Sequence, residues 1–90
     1  DPHAYALEIT GDSMEPVYRD GDIIVVSPGS SIRRGDRVVV KTTEGEVMAK
    51  QLIRQSARRL ELASVNSLHE DRVLNIEDVM WTARIVWASQ

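Results

Sequence analysis

Turn-forming residues recur at short intervals along this chain and limit each apolar run to a few residues. All five glycines lie in such turns, and the runs between them are rich in Val, Ile and Leu, as is typical of β-strands. We predict strands over residues 5–9, 22–27, 36–42, 46–54, 59–65 and 79–87, with a hairpin turn at residues 43–45. Helical periodicity is weak and fits only short turns at residues 13–18 and 76–80. The pattern predicts an all-β fold of bent antiparallel strands with one or two short helical turns.

Size and charge narrow the class of protein further. Ninety residues suit one compact domain, so we expect residues 1–90 to form a single domain. The net charge of −3 argues against a free-standing DNA-binding domain, because binding to phosphates needs a basic surface. Any DNA contact is therefore expected from a further segment upstream. The absence of cysteine excludes disulfides and thiolate catalysis and fits a cytoplasmic protein. No apolar run is long enough to span a membrane.

A serine lies between a glycine turn and a possible helical turn in the motif GDSMEP, residues 11–16. Backbone N–H groups at such a turn are unpaired and can point at a developing oxyanion. Ser13 can therefore attack a carbonyl group, provided that a base is near. The alternative is that Ser13 only caps the helical turn, which is the commoner role of a serine in this context. By itself, the motif favours the capping role.

The histidines offer little support for a base or a metal site. His3 and His69 are the only two, and nothing in the sequence brings either one close to Ser13. Both are expected to be solvated. The consecutive residues His69, Glu70 and Asp71 do not share a face, so no metal site is predicted.

A better candidate for the base is Lys50, one of only two lysines. In a strand, Met48 and Leu52 share its face, and burial among apolar side chains lowers the pKa of an amine. A neutral amine can accept the proton of a serine hydroxyl. The alternative is an exposed edge-strand lysine that discourages aggregation. The residues alone leave both interpretations open, because the opposite face of the strand is apolar too. The other lysine, Lys41, lies beside a polar turn and is expected to be solvated.

Five stretches of the chain resemble the LexA-like peptidases, a family that includes LexA, phage repressors and UmuD-type mutagenesis proteins. The matching stretches are GDSMEP (11–16), DGDIIVV (20–26), GDRVVV (35–40), MAKQL (48–52) and ARIVW (83–87). The interval from Ser13 to Lys50 is also similar to that of LexA. The resemblance covers nearly the whole chain and implies the fold shared by LexA and signal peptidase.

The resemblance implies a Ser-Lys dyad that cleaves its own polypeptide, with no metal and no cofactor. Ser13 would attack the scissile carbonyl, and neutral Lys50 would accept its proton and pass it to the leaving amine. The backbone amide of Ser13, with that of Asp12 or Met14, would form the oxyanion hole. The chain would thus be the C-terminal self-cleaving and dimerisation domain of a LexA- or phage-type transcriptional repressor.

The same resemblance predicts partners. We expect a homodimer, with Trp87 and Ile85 as candidate contacts, and an activated RecA filament or an antirepressor as a regulator. DNA binding would belong to an N-terminal domain that this chain lacks. The relatives cleave at an Ala-Gly or Cys-Gly bond before the serine, and no glycine precedes Gly11, so the substrate loop is expected to lie outside this chain. The alternatives are a dimerisation or partner-binding module that does not cleave, a UmuD-like protein and, least favoured, a signal-peptidase-like enzyme.

Overall fold

One antiparallel sheet contains all seven strands of the described chain. The computed structural model describes residues 2–12, 14–66 and 68–89. The strands are β1 (Tyr5–Glu8), β2 (Ile23–Ser27), β3 (Arg37–Thr42), β4 (Val47–Gln55), β5 (Arg59–Ala63), β6 (Arg72–Asn75) and β7 (Val79–Ala88). Their order is β1-β2-β7-β3-β4-β5-β6. The prediction of an all-β fold is therefore confirmed.

The long strand β7 joins the two halves of the sheet, because it pairs with β2 on one side and with β3 on the other. Register shifts interrupt the β2–β7, β3–β7 and β4–β5 pairings. Such irregularities bend strands and increase their twist, which agrees with the predicted bent strands.

Strand β3 is buried on both faces and contributes to two hydrophobic cores. Successive side chains of a strand point to opposite faces. Val39 accordingly packs in a first core with Met14 and Ile24. Val38 and Val40 pack in a second core, whose other members are Met48, Leu52, Leu60, Leu62 and Leu74. This double burial explains the uninterrupted valine run, which an alternating half-exposed strand would not need.

The predicted hairpin turn between β3 and β4 is confirmed. The Thr42 amide donates to the Glu46 carbonyl at 2.8 Å, and the Gly45 amide donates to the Thr42 carbonyl at 2.9 Å. Gly45 has a φ of +93°, a left-handed conformation that favours glycine. This turn sets the β3–β4 register, in which Val38 lies opposite Lys50.

The structure differs from the sequence prediction in three places. Strand β6 was not predicted, because it has only four residues and of these only Leu74 is buried. The helical turn expected at residues 76–80 is a shorter 3-10 helix, Ile76–Asp78, after which β7 begins. The helical turn expected at residues 13–18 is a turn and not a helix over its described residues, in which the Tyr18 amide donates to the Met14 carbonyl at 2.8 Å and the Glu15–Pro16 peptide bond is cis. No helix in the described part of the chain is long and apolar enough to cross a membrane.

Neighbouring residues of β4 provide a test of the second core. Leu52 is 1% exposed, whereas Ile53 is 39% exposed. We expect Leu52→Ala to lower the free energy of unfolding by about 2–5 kcal/mol, since it leaves a cavity in a packed core. Ile53→Ala is expected to cost about 1 kcal/mol or less. Urea denaturation of the two variants measures this difference, and equal losses would contradict the assignment of the core.

Candidate active site

A cleft of about 620 Å³ opens between the end of β1, the start of β4 and the loop that joins β5 to β6. Its apolar lining includes Ile9, Ile24 and Met48, which also belong to the two cores. Its polar lining comes mainly from charged side chains, among them Lys50 and Arg72. The lining is thus about half apolar and half polar, and apolar surface beside convergent polar groups is common in binding sites.

Lys50 is buried in this cleft, with only 6% of its surface exposed. Strand β4 lies between β3 and β5, so Lys50 is not on a sheet edge. Met48 and Leu52 are buried on the same face, as the alternation predicts. The interpretation of Lys50 as an exposed edge-strand lysine is therefore wrong.

Burial lowers the pKa of the Lys50 amine below its ordinary value, because removal of water disfavours the charged form. The guanidinium of Arg72 lowers this pKa further by charge repulsion. The carboxylates of Asp71 and Glu46 act in the opposite sense but do not reverse the shift. A larger share of the amine is thus neutral at a given pH, which is the state that a proton acceptor needs.

Arg72 lines the same cleft as Lys50 and makes a bidentate ion pair with Glu46. Its Nη1 and Nη2 atoms donate to the two carboxylate oxygens at 3.0 and 3.1 Å. This pairing raises the pKa of Arg72 and lowers the pKa of Glu46, so both groups remain charged. The pair joins the start of β4 to the start of β6 and lines the cleft.

The opposite charges of this pair allow a test of the electrostatics around Lys50. Arg72→Gln removes a cation and is expected to raise the pKa of Lys50, whereas Glu46→Gln removes an anion and is expected to lower it. Titration of the lysine side-chain NMR signals measures both shifts, and only Lys41 and Lys50 contribute such signals. Arg54→Gln, which breaks the Arg54–Glu61 pair, is the matched control. Shifts of the same sign in Arg72→Gln and Glu46→Gln would contradict this account.

Ser13 itself lies outside the described residues, but its two neighbours in the sequence line the cleft together with Lys50. Met14 is 1% exposed and packs in the first core, which anchors one side of the turn. On the other side, the Gly11 amide donates to the Asp20 carboxylate at 2.8 Å, and Gly11 has a φ of +84°. Met14, which directly follows the predicted nucleophile, and Gly11, two residues before it, are therefore both anchored.

The loop between β5 and β6 also reaches this turn, contrary to what the sequence led us to expect. The Asn66 side-chain amide donates to the Asp12 carbonyl at 3.0 Å, and His69 Nε2 donates to the Asp12 carboxylate. His69 is exposed, as expected, with 40% of its side chain open to solvent, and it bonds to Asp12 in addition. No sequence signal indicated these contacts, because the paired residues lie far apart in the chain. Across the described positions, no group of three His, Asp or Glu side chains could hold a metal ion.

The two candidate dimer contacts differ in exposure. Trp87 is 56% exposed, and its neighbour Val86 is 47% exposed. Ile85 lies opposite Val26 and is partly buried against the first core. Trp87 therefore offers the larger free apolar surface. The other tryptophan, Trp81, packs on the first core and makes an edge-to-face contact with Tyr5.

The all-β fold thus brings a buried lysine, Lys50, to the same cleft as Asp12 and Met14. The chain belongs to the Peptidase S24-like family, whose sequence model matches residues 1–86.

The chain is also similar in sequence to known repressors. It is 31% identical to a LexA repressor of Ruegeria sp. (strain TM1040) over 83 residues, which cover 91% of this chain and 34% of that protein. It is 48% identical to repressor protein C of Rhizobium phage 16-3 over 40 residues, or 44% of this chain and 15% of that protein. A LexA repressor of Geobacillus thermodenitrificans is 40% identical over 52 residues, or 57% of this chain and 25% of that protein. The chain thus matches about a third or less of each relative.

Proposed function

We propose that this chain is the C-terminal self-cleaving and dimerisation domain of a LexA- or phage-type transcriptional repressor, with Ser13 as nucleophile and Lys50 as general base. The observation that carries the proposal is the burial of Lys50 in the cleft that Asp12 and Met14 also line. A buried amine with a lowered pKa has no evident structural use here, because burial of a charge is costly.

The proposed reaction is an acyl transfer within one polypeptide. The Ser13 hydroxyl attacks the scissile carbonyl while the neutral Lys50 amine accepts its proton, and the developing oxyanion is held by backbone amides of residues 12–14. When the C–N bond breaks, the Lys50 ammonium gives the proton to the leaving amine. Water then hydrolyses the Ser13 ester. No metal or cofactor takes part in these steps.

The proposed substrate is a segment of the same repressor that lies upstream of residue 1. The repressor names of the relatives and the acidic charge of this chain support a separate DNA-binding domain. An activated RecA filament or an antirepressor would act by favouring the conformation in which the substrate segment enters the cleft, which is a shift of populations. The dimer would form through the exposed end of β7 around Trp87, with Ile85 at its margin. The protein would act in the cytoplasm.

Intact-mass analysis of the full-length protein tests the proposal. The protein is incubated at neutral and alkaline pH, with and without activated RecA, beside Ser13→Ala. We expect cleavage at one bond upstream of Ser13, faster at alkaline pH because more Lys50 is neutral, and none in Ser13→Ala. An uncut protein under every condition would instead support a dimerisation or partner-binding module without peptidase activity.

A further inference from the structure

We propose that Asn66 and His69 are positioning residues that hold the main chain and the side chain of Asp12 at the wall of the cleft. The catalytic meaning of this positioning rests on the proposed function, in which Asp12 directly precedes the nucleophile. The contacts themselves join residues that the structure describes. Both positioning residues lie in the β5–β6 loop, far from Asp12 in the sequence.

The first contact fixes the main chain at Asp12. Its carbonyl accepts a hydrogen bond from the Asn66 side chain at 3.0 Å and another from the Glu15 amide at 3.1 Å. Both lone pairs of this carbonyl are then engaged. Asn66 and the Glu15 amide therefore hold the Asp12 carbonyl together.

The second contact fixes the side chain of the same residue. His69 Nε2 donates to the Asp12 carboxylate, and hydrogen bonds to a charged partner are stronger than neutral ones. The two side chains are 40% and 53% exposed, so water weakens this pair without removing it. Main chain and side chain of Asp12 are thus both held by one loop.

The described residues of this loop also bond to one another. The Asn66 side-chain oxygen accepts from the Leu68 amide at 3.0 Å, and the Asn66 carbonyl accepts from the His69 amide at 3.0 Å. The Ser64 amide donates to the Asp71 carboxylate at 3.2 Å across the base of the loop. Asn66 therefore uses its oxygen to shape the loop and its nitrogen to hold Asp12, which no other side chain of similar size can do.

Variants can separate these two uses of Asn66. Asn66→Asp keeps the oxygen that accepts from Leu68 and loses the donor to Asp12, whereas Asn66→Ala loses both without adding a charge. His69→Leu removes the second donor, and His69→Gln restores a side-chain N–H at a similar distance from the backbone. Ser56→Ala, which affects only the tip of the β4–β5 hairpin, is the control.

Two measurements on the full-length protein test whether Asn66 and His69 hold Asp12 in place, and whether this positioning speeds self-cleavage. Hydrogen exchange reports protection of the Glu15 amide, which is bonded to the Asp12 carbonyl. We expect it to exchange about fivefold faster in Asn66→Asp and Asn66→Ala, and about tenfold faster in His69→Leu, with partial recovery in His69→Gln. Self-cleavage is expected to slow by similar factors and to recover in the same variant, while exchange in β4 and β5 stays unchanged.

The outcomes distinguish the failure of this inference from that of the proposed function. Unchanged exchange at Glu15 in all variants would overturn the hold, whether or not the protein cleaves itself. Faster exchange with undiminished cleavage would overturn the positioning role. A wild-type protein that does not cleave would refute the proposed function, and the exchange measurement would still decide whether the loop holds Asp12.

Discussion

Replacement of Lys50 by Met is expected to abolish self-cleavage of the full-length protein. Methionine fills a similar volume in the buried site but cannot accept a proton, and loss of a general base slows a reaction by about 10²–10⁴-fold. Intact-mass measurement of the cleavage rate at alkaline pH tests this. Lys41→Met is the matched control, because it changes the only other lysine, which lies on β3 and outside the cleft. Equal rates in Lys50→Met and the wild type would contradict the assigned role.

Loss of cleavage in Lys50→Met is not expected to come from unfolding. The lowered pKa means that the folded chain binds the Lys50 proton less tightly than the unfolded chain does. The free energy of unfolding of the wild type should therefore rise with pH between the lowered value and the ordinary value of 10.5. Below that window the burial of the charged amine opposes folding, so Lys50→Met should be at least as stable as the wild type at neutral pH. Urea denaturation across this pH range measures both effects.

Replacement of Trp87 by Glu is expected to weaken the proposed dimer by about two orders of magnitude, as for a central aromatic contact. Met80 lies on the same strand and is equally exposed, at 56%, but near the opposite end of β7. Met80→Glu is therefore a matched control for the added charge on an exposed strand. Sedimentation equilibrium measures the two dissociation constants. Equal weakening by both substitutions, or by neither, would contradict a dimer contact at Trp87.

Most of the strands could be predicted from the sequence, because short β-branched runs between glycine turns have few other ways to fold. The run of Val38, Val39 and Val40 indicated a buried strand, and the turn at Gly45 fixed where the next one begins. Strand β6 could not be predicted in the same way. Its Val73 is 61% exposed, so β6 has no buried apolar run. The strand depends on its pairing with β5.

Only part of the candidate site could be predicted from the sequence. Local alternation placed Lys50 on a face with Met48 and Leu52, but both faces of that strand are apolar. Its burial is decided by the position of β4 between β3 and β5, which is a property of the whole sheet. The contacts of Asn66 and His69 with Asp12 depend on how a distant loop returns to the first turn. Local patterns carry no information about such pairings.

Covalent labelling of Ser13 by a fluorophosphonate tests the central claim most directly, because it needs no substrate segment. The reagent phosphonylates only a serine whose proton can be removed, so it reports the dyad itself. We predict one label per chain, mapped to Ser13 by peptide mass analysis, formed faster as the pH rises and absent in Lys50→Met. Absence of any label, or equal labelling of Ser13 with and without Lys50, would contradict a Ser-Lys dyad.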